Sequence, residues 1–193
     1  MPVREMTADD IDAVAELRVR AWQYAYADLL PHRFLNAMSV EEDAARRRDL
    51  FAKAAALARN PVTNLVTESA DGAVTGWAAF GPNRPGGAHT SAPRAETATE
   101  EAELYAIYVR PELLGTGLGR DLTASCLEGA ARQGFTRVVL WVIEGNARAR
   151  RFYERAGFAP DGGEDTYDIE GQGTHIPIVR YGRPLTVTDS CSV

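Results

Sequence analysis

Two seven-residue stretches of the chain are apolar in both registers. "ELYAIYV" (103–109) puts Leu104, Ala106 and Tyr108 on one side of an extended chain and Tyr105, Ile107 and Val109 on the other, and "RVVLWVI" (137–143) is similar. Side chains alternate across a strand, so a strand with one wet face does not carry this pattern. Both runs belong in the interior of a sheet whose two faces are covered.

The rest of the chain supplies the remaining layers. "PVREM" reads as a short strand, and Thr7 with Asp10 forms a capping box. Ile11, Val14, Ala15, Arg18, Ala21 and Trp22 then keep a mostly helical period up to Pro31. Ser39 with Glu42 opens a second helix that reaches Ala58, and Pro61 breaks the pattern. "TNLVTES", "ADGA" and "VTGWAAFG" spell a hairpin around an Asp-Gly turn. Residues 81–101, dense in Gly, Pro, Ala and Thr, form a long loop. Leu118, Leu122, Cys126 and Ala130 share a helix face that Gly134 ends. Asn146 caps a helix whose Ala149, Phe152 and Ala156 lie together, and Gly157 stops it. "FAP", a turn-rich linker and "HIPIVRYGRPL" give two last strands.

Size and composition set limits. With 193 residues the chain is expected to be one domain over 1–185, with 186–193 as a frayed tail. A net charge of −6 argues against nucleic acid or an anionic membrane as partner. The two cysteines, Cys126 and Cys191, make no disulfide framework, and the three histidines have no ligand spacing, so no metal is expected. The N-terminus lacks the form of a signal peptide and no stretch is long and apolar enough to span a bilayer. A cytoplasmic protein is expected.

Between the first apolar run and the following helix lies "RPELLGTGLGRDL", with Gly115, Gly117 and Gly119 at every second position. A strand, a glycine turn and a helix N-terminus together point several backbone N–H groups one way. The helix dipole adds partial positive charge there. Such a junction suits a phosphate or pyrophosphate, and Arg120 adds a cation. The spacing is G-x-G-x-G, which fits neither the dinucleotide fingerprint nor the nucleoside-triphosphate loop. A plain tight turn is the other reading.

"ELYAIYVRPELLGTGLGRDL" followed by "RVVLWVIEGNARARRFYERAGF" resembles the GNAT superfamily of acyl-CoA-dependent N-acetyltransferases. The first block carries the family's glycine motif, roughly Q/R-x-x-G-x-G/A, with Leu114 where the family usually has Gln or Arg. The second carries Asn146, Phe152, Tyr153 and Gly157–Phe158. The resemblance implies a mixed, mostly antiparallel α/β (α+β) sheet of about seven strands with about four helices. It implies acetyl-CoA as co-substrate, held by backbone at Leu114, Gly115, Thr116, Gly117, Leu118, Gly119 and Arg120. Its pantetheine arm would pair with Ile107, Tyr108 and Val109 like an added strand, with Asn146 near it.

Acetyl transfer to an amine needs a base for the ammonium, a donor for the oxyanion and a proton for the thiolate. Tyr153 is the candidate acid; the competing reading is a tyrosine that only packs. Glu103 is the candidate base through a water; the competing reading is an exposed carboxylate beside Glu100 and Glu101. The resemblance gives the Val109 N–H as oxyanion donor. Arg148, Arg150, Arg151 and Arg155 make a basic helix face, either solvated or reaching the adenosine phosphates. Trp22 and Tyr26 share a helix face in a stretch that, in the family, edges the acceptor pocket; ordinary packing is the alternative. The expected activity is transfer to a small-molecule or protein amine, by a monomer or a homodimer. A non-catalytic acyl-CoA-binding module is the other class.

Overall fold

A computed structural model describes residues 2–57, 60–84, 100–169 and 174–186. The chain order is β1 (Val3–Glu5), α1 (Ile11–Ala25), α2 (His32–Ala37), α3 (Val40–Ala55), β2 (Thr63–Glu68), β3 (Val74–Pro82), β4 (Glu101–Val109), α4 (Leu118–Arg132), β5 (Arg137–Ile143), α5 (Ala147–Arg155), β6 (Ala159–Ile169) and β7 (Thr174–Pro184). The seven strands form one sheet in the order β1-β2-β3-β4-β5-β7-β6. β1 with β2, β5 with β7 and β6 with β7 run antiparallel. β4 and β5, the two runs apolar in both registers, pair in parallel.

The chain clusters into two compact units. The first holds Met1–Ala79 and Ala106–Cys126. Its helix α1 is preceded by a single 3-10 turn, Ala8–Asp10. The Asp10 carboxylate accepts the Thr7 backbone N–H at 2.7 Å and is gripped by both terminal nitrogens of Arg4, at 2.7 and 2.8 Å. Of the period read along α1, Ile11, Val14, Ala15, Ala21 and Trp22 are buried and Arg18 is half-buried, while Leu17 and Val19, outside that period, are buried as well. Ser39 caps α3 by accepting the Glu42 N–H at 3.1 Å, but its hydroxyl is answered by Glu41 rather than by Glu42. The sequence reading missed α2, whose six residues are too few to show a period.

The second unit holds Phe80–Tyr105 and Leu127–Val193. Its core is built on Phe80, Val138, Val139, Leu140 and Tyr181. β6 runs through the segment expected to be a linker and stays mostly exposed at the sheet edge. Its glycines and acidic residues hide a strand from a hydrophobic pattern. Of the long loop, 85–99 falls outside the described residues; β3 extends to Pro82 and β4 opens at Glu101. The tail from 187 on also falls outside them.

Candidate active site

The glycine junction lies in the first unit. Gly115 has φ 84° and Gly117 φ 100°, backbone that a side chain strains. A Cβ on Gly115 would touch nothing within 4 Å, so its glycine answers to backbone angle and not to space. Gly119 is different, because it sits inside α4. Helix α4 begins at Leu118, and its Asp121 N–H bonds the Gly117 carbonyl at 3.0 Å. The N–H groups of Leu118, Gly119 and Arg120 therefore precede the helical ladder. Leu118 anchors the turn by burying its side chain, and Leu122, Cys126 and Ala130 follow it into the core. The helix face read from sequence is the face observed. The Arg120 side chain is exposed and curls over Gly117. Thr116 bonds back to Leu113, its hydroxyl 2.7 Å from that carbonyl. Leu114 is half-buried and extended.

β4 corrects one expectation. The strand is fourth of seven, yet Tyr105, Ala106, Ile107 and Tyr108 are only half-buried. Solvent reaches the middle of the strand where full cover is expected for a run apolar on both faces. The parallel ladder to β5 is recorded over Glu101↔Arg137, Ala102↔Val138 and Glu103↔Val139, and both strands run on beyond it.

Glu103 is not the exposed carboxylate of the competing reading. It is 1% exposed. Arg84 closes on it with its backbone N–H and its Nε, each 3.1 Å from Oε2, and with a terminal nitrogen at Oε1. The Arg84 guanidinium lies 4.2 Å from the Tyr105 ring centroid, and the Tyr105 hydroxyl bonds the Pro82 carbonyl.

Helix α5 explains its own signature. Asn146 accepts the Ala149 N–H at 3.0 Å, which makes it the cap. At the other end Phe158 N–H bonds the Tyr153 carbonyl and Gly157 N–H bonds the Glu154 carbonyl, both at 3.0 Å. This is a Schellman closure with its usual apolar contact, Tyr153 to Phe158, ring centroids 6.0 Å apart. Tyr153 is half-buried, and so is Phe152. Of the basic face, Arg150 is committed: it donates to the Tyr181 hydroxyl at 3.0 Å and to the Glu144 carbonyl at 3.1 Å.

Trp22 and Tyr26 do meet, edge to face at 4.9 Å, and Phe34 also meets Trp22 edge to face, at 6.2 Å. Trp22 Nε1 donates to the Tyr108 hydroxyl at 2.8 Å, so a side chain of β4 joins them. Three further residues close this cluster and were not singled out from sequence as site residues: Asp43, Arg47 and Trp77. Arg18 also belongs to it, and its position on the apolar face of α1 was the one readable signal. Among the described residues no helix is long and apolar enough to cross a membrane, and no group of three metal-ligating side chains lies together.

Residues 12–158 match the family model described as the acetyltransferase (GNAT) family. The chain is 30% identical over 170 residues to YuaI, described as an uncharacterized N-acetyltransferase, from Bacillus subtilis, covering 88% of this chain and 86% of that one. Its fold resembles that of a ribosomal-protein-alanine N-acetyltransferase from Brucella melitensis, with TM-score 0.72, 22% identity, and 96% and 100% of the two chains covered. It also resembles a PaiA N-acetyltransferase from Thermoplasma acidophilum solved in complex with coenzyme A, with TM-score 0.66, 16% identity, and 95% and 98% covered. The family model spans both the glycine junction and the Asn146–Phe158 helix, and the chain belongs to the acetyltransferase (GNAT) family.

Proposed function

We propose that the protein transfers an acetyl group from acetyl-CoA to the primary amine of an acceptor. The observation that carries this reading is the junction Leu114–Arg120, where two left-handed glycines turn the chain into a helix whose first N–H groups lie outside the helical ladder. Such a donor set, with no side chain at Gly117 or Gly119, fits a diphosphate. Leu118, Gly119 and Arg120 would hold it, with Gly115 and Thr116 shaping the turn. Ile107–Val109, half-exposed at Ile107 and Tyr108, would take the pantetheine arm by backbone pairing. Asn146 serves as a helix cap and positions α5.

In the reaction the amine nitrogen bonds the acetyl carbon, the carbon–sulfur bond breaks, and coenzyme A leaves as the thiol. The Val109 N–H is the proposed donor to the oxyanion. Tyr153 is the proposed acid. A phenol is a weaker acid than a thiol, with reference pKa about 10 against about 8.5. Tyr153 therefore stabilises the departing thiolate by hydrogen bonding, and passing its proton on costs about 2 kcal/mol. Glu103 is the proposed base through a water, and its lone pairs are engaged by Arg84, so Arg84 must yield for it to act. That ion pair is the one observation favouring the second reading, a non-catalytic acyl-CoA-binding module.

The test is thiol release from acetyl-CoA across a library of primary amines. Transfer is expected with at least one amine, and Tyr153→Phe is expected to lower that turnover about 10²-fold while acetyl-CoA affinity changes less than about twofold. Tight acetyl-CoA binding with no thiol release on any amine favours the module. Undiminished release by Tyr153→Phe removes that residue from the mechanism.

A further inference from the structure

In the first unit, Arg18 on α1 and Arg47 on α3 converge on one carboxylate. Arg18 Nη1 lies 2.7 Å from Asp43 Oδ1, and Arg47 Nε lies 2.7 Å from Oδ2. The Asp43 side chain is 6% exposed, that of Arg47 12% and that of Arg18 20%. Arg46 stands 3.9 Å from the same carboxylate but is open to water. Two largely buried guanidiniums against one carboxylate leave a positive charge uncompensated, which is costly away from water. Burial pushes the Arg47 guanidinium below its ordinary value, against the pull of Asp43.

The walls are aromatic. Arg18 lies 4.8 Å from the Trp22 centroid and Arg47 4.1 Å from that of Trp77. Trp77 stacks on Tyr108 at 6.1 Å, with 15° between the rings. The Tyr108 hydroxyl accepts from Trp22, and no acceptor for its own proton is recorded among the described residues. Arg47 meets Asp43 through Nε, which leaves its terminal nitrogens as further donors. A cluster built only to pin α1 to α3 needs one arginine per carboxylate. This one presents surplus donors and surplus charge beside β4, one residue from Val109.

We infer that Arg47 and Tyr108, backed by Arg18, Trp22 and Trp77, form a subsite for a carboxylate on the acceptor, which makes the acceptor a free amino acid rather than a plain amine. The inference rests on the proposed acetyl transfer. A guanidinium fork matches a carboxylate in shape and charge, and its cation–π seat holds it in place.

The probes are L-tyrosine, L-tryptophan, L-lysine and L-arginine, each paired with its decarboxylated amine: tyramine, tryptamine, cadaverine and agmatine. With saturating acetyl-CoA, at least one acid is expected to exceed its amine in kcat/KM by about tenfold or more. Arg47→Gln and Arg47→Lys are each expected to raise KM for that acid about tenfold, with kcat and the rate on the paired amine within about twofold. Should Arg47→Gln fail to fold, Arg47→Lys carries the test, since it keeps the charge and loses only the planar fork. Amines equal to or better than acids, rejection of every acid, or variants that slow both series alike overturn the subsite. Calorimetry with acetyl-CoA runs alongside. No acetyl-CoA binding, or binding with no turnover on any acid or amine, overturns the proposed acetyl transfer itself, whereas turnover on an amine with acids rejected overturns the subsite alone.

Discussion

Asp10 shows how one side chain can hold an element in place. Its carboxylate takes a bidentate grip from Arg4 on β1 and the Thr7 N–H at the start of the first helical segment. The Arg4 guanidinium, with Thr7, holds the Asp10 pKa down at about 2 against an ordinary 3.8. A carboxylate depressed in the fold adds stability above its unfolded pKa and loses it as pH falls through the folded one. Asp10→Asn is therefore expected to cost about 2 kcal/mol at neutral pH. The gap between variant and parent should close between pH 4 and pH 2, read by urea unfolding at stepped pH. Thr7 and Asp10 were legible because they stand three apart. Arg84–Glu103 and Arg18–Asp43 were not, because their partners lie 19 and 25 residues apart and only the fold joins them. Glu103 shows the consequence: its position in β4 was readable, and its counterion was not.

At the scale of elements, regular periods were readable and short or polar pieces were not. The buried face of α4 was read residue by residue because four apolar positions repeat every fourth residue. β6 escaped because it sits at a sheet edge and needs no apolar face. The glycine junction was found, but its three glycines do different jobs. Gly117 has φ 100°, so Gly117→Ala is expected to destabilise the fold by about 1–2 kcal/mol. Gly119 is helical, so Gly119→Ala is expected to leave thermal stability level or slightly higher. Both are expected to weaken acetyl-CoA binding, the second by placing a methyl where the proposed diphosphate would approach backbone. Melting curves and calorimetry on the two variants separate strain from contact. Gly119→Ala with unchanged affinity would contradict that assignment.

For the whole molecule, the sheet order and the parallel pairing of β4 with β5 set the two runs apolar in both registers side by side. A ligand that binds only the folded chain stabilises it by mass action. Acetyl-CoA at about a hundredfold over its Kd is expected to raise Tm on the order of 5–10 °C for a chain of this size. NAD and ATP are expected to leave it unchanged, because the junction has neither of their glycine spacings. The most direct measurement is a backbone-amide NMR titration with coenzyme A. The largest shifts are expected at Gly115–Arg120, led by Leu118 and Gly119. Saturable binding that leaves those amides unmoved, or no binding at all, would contradict it.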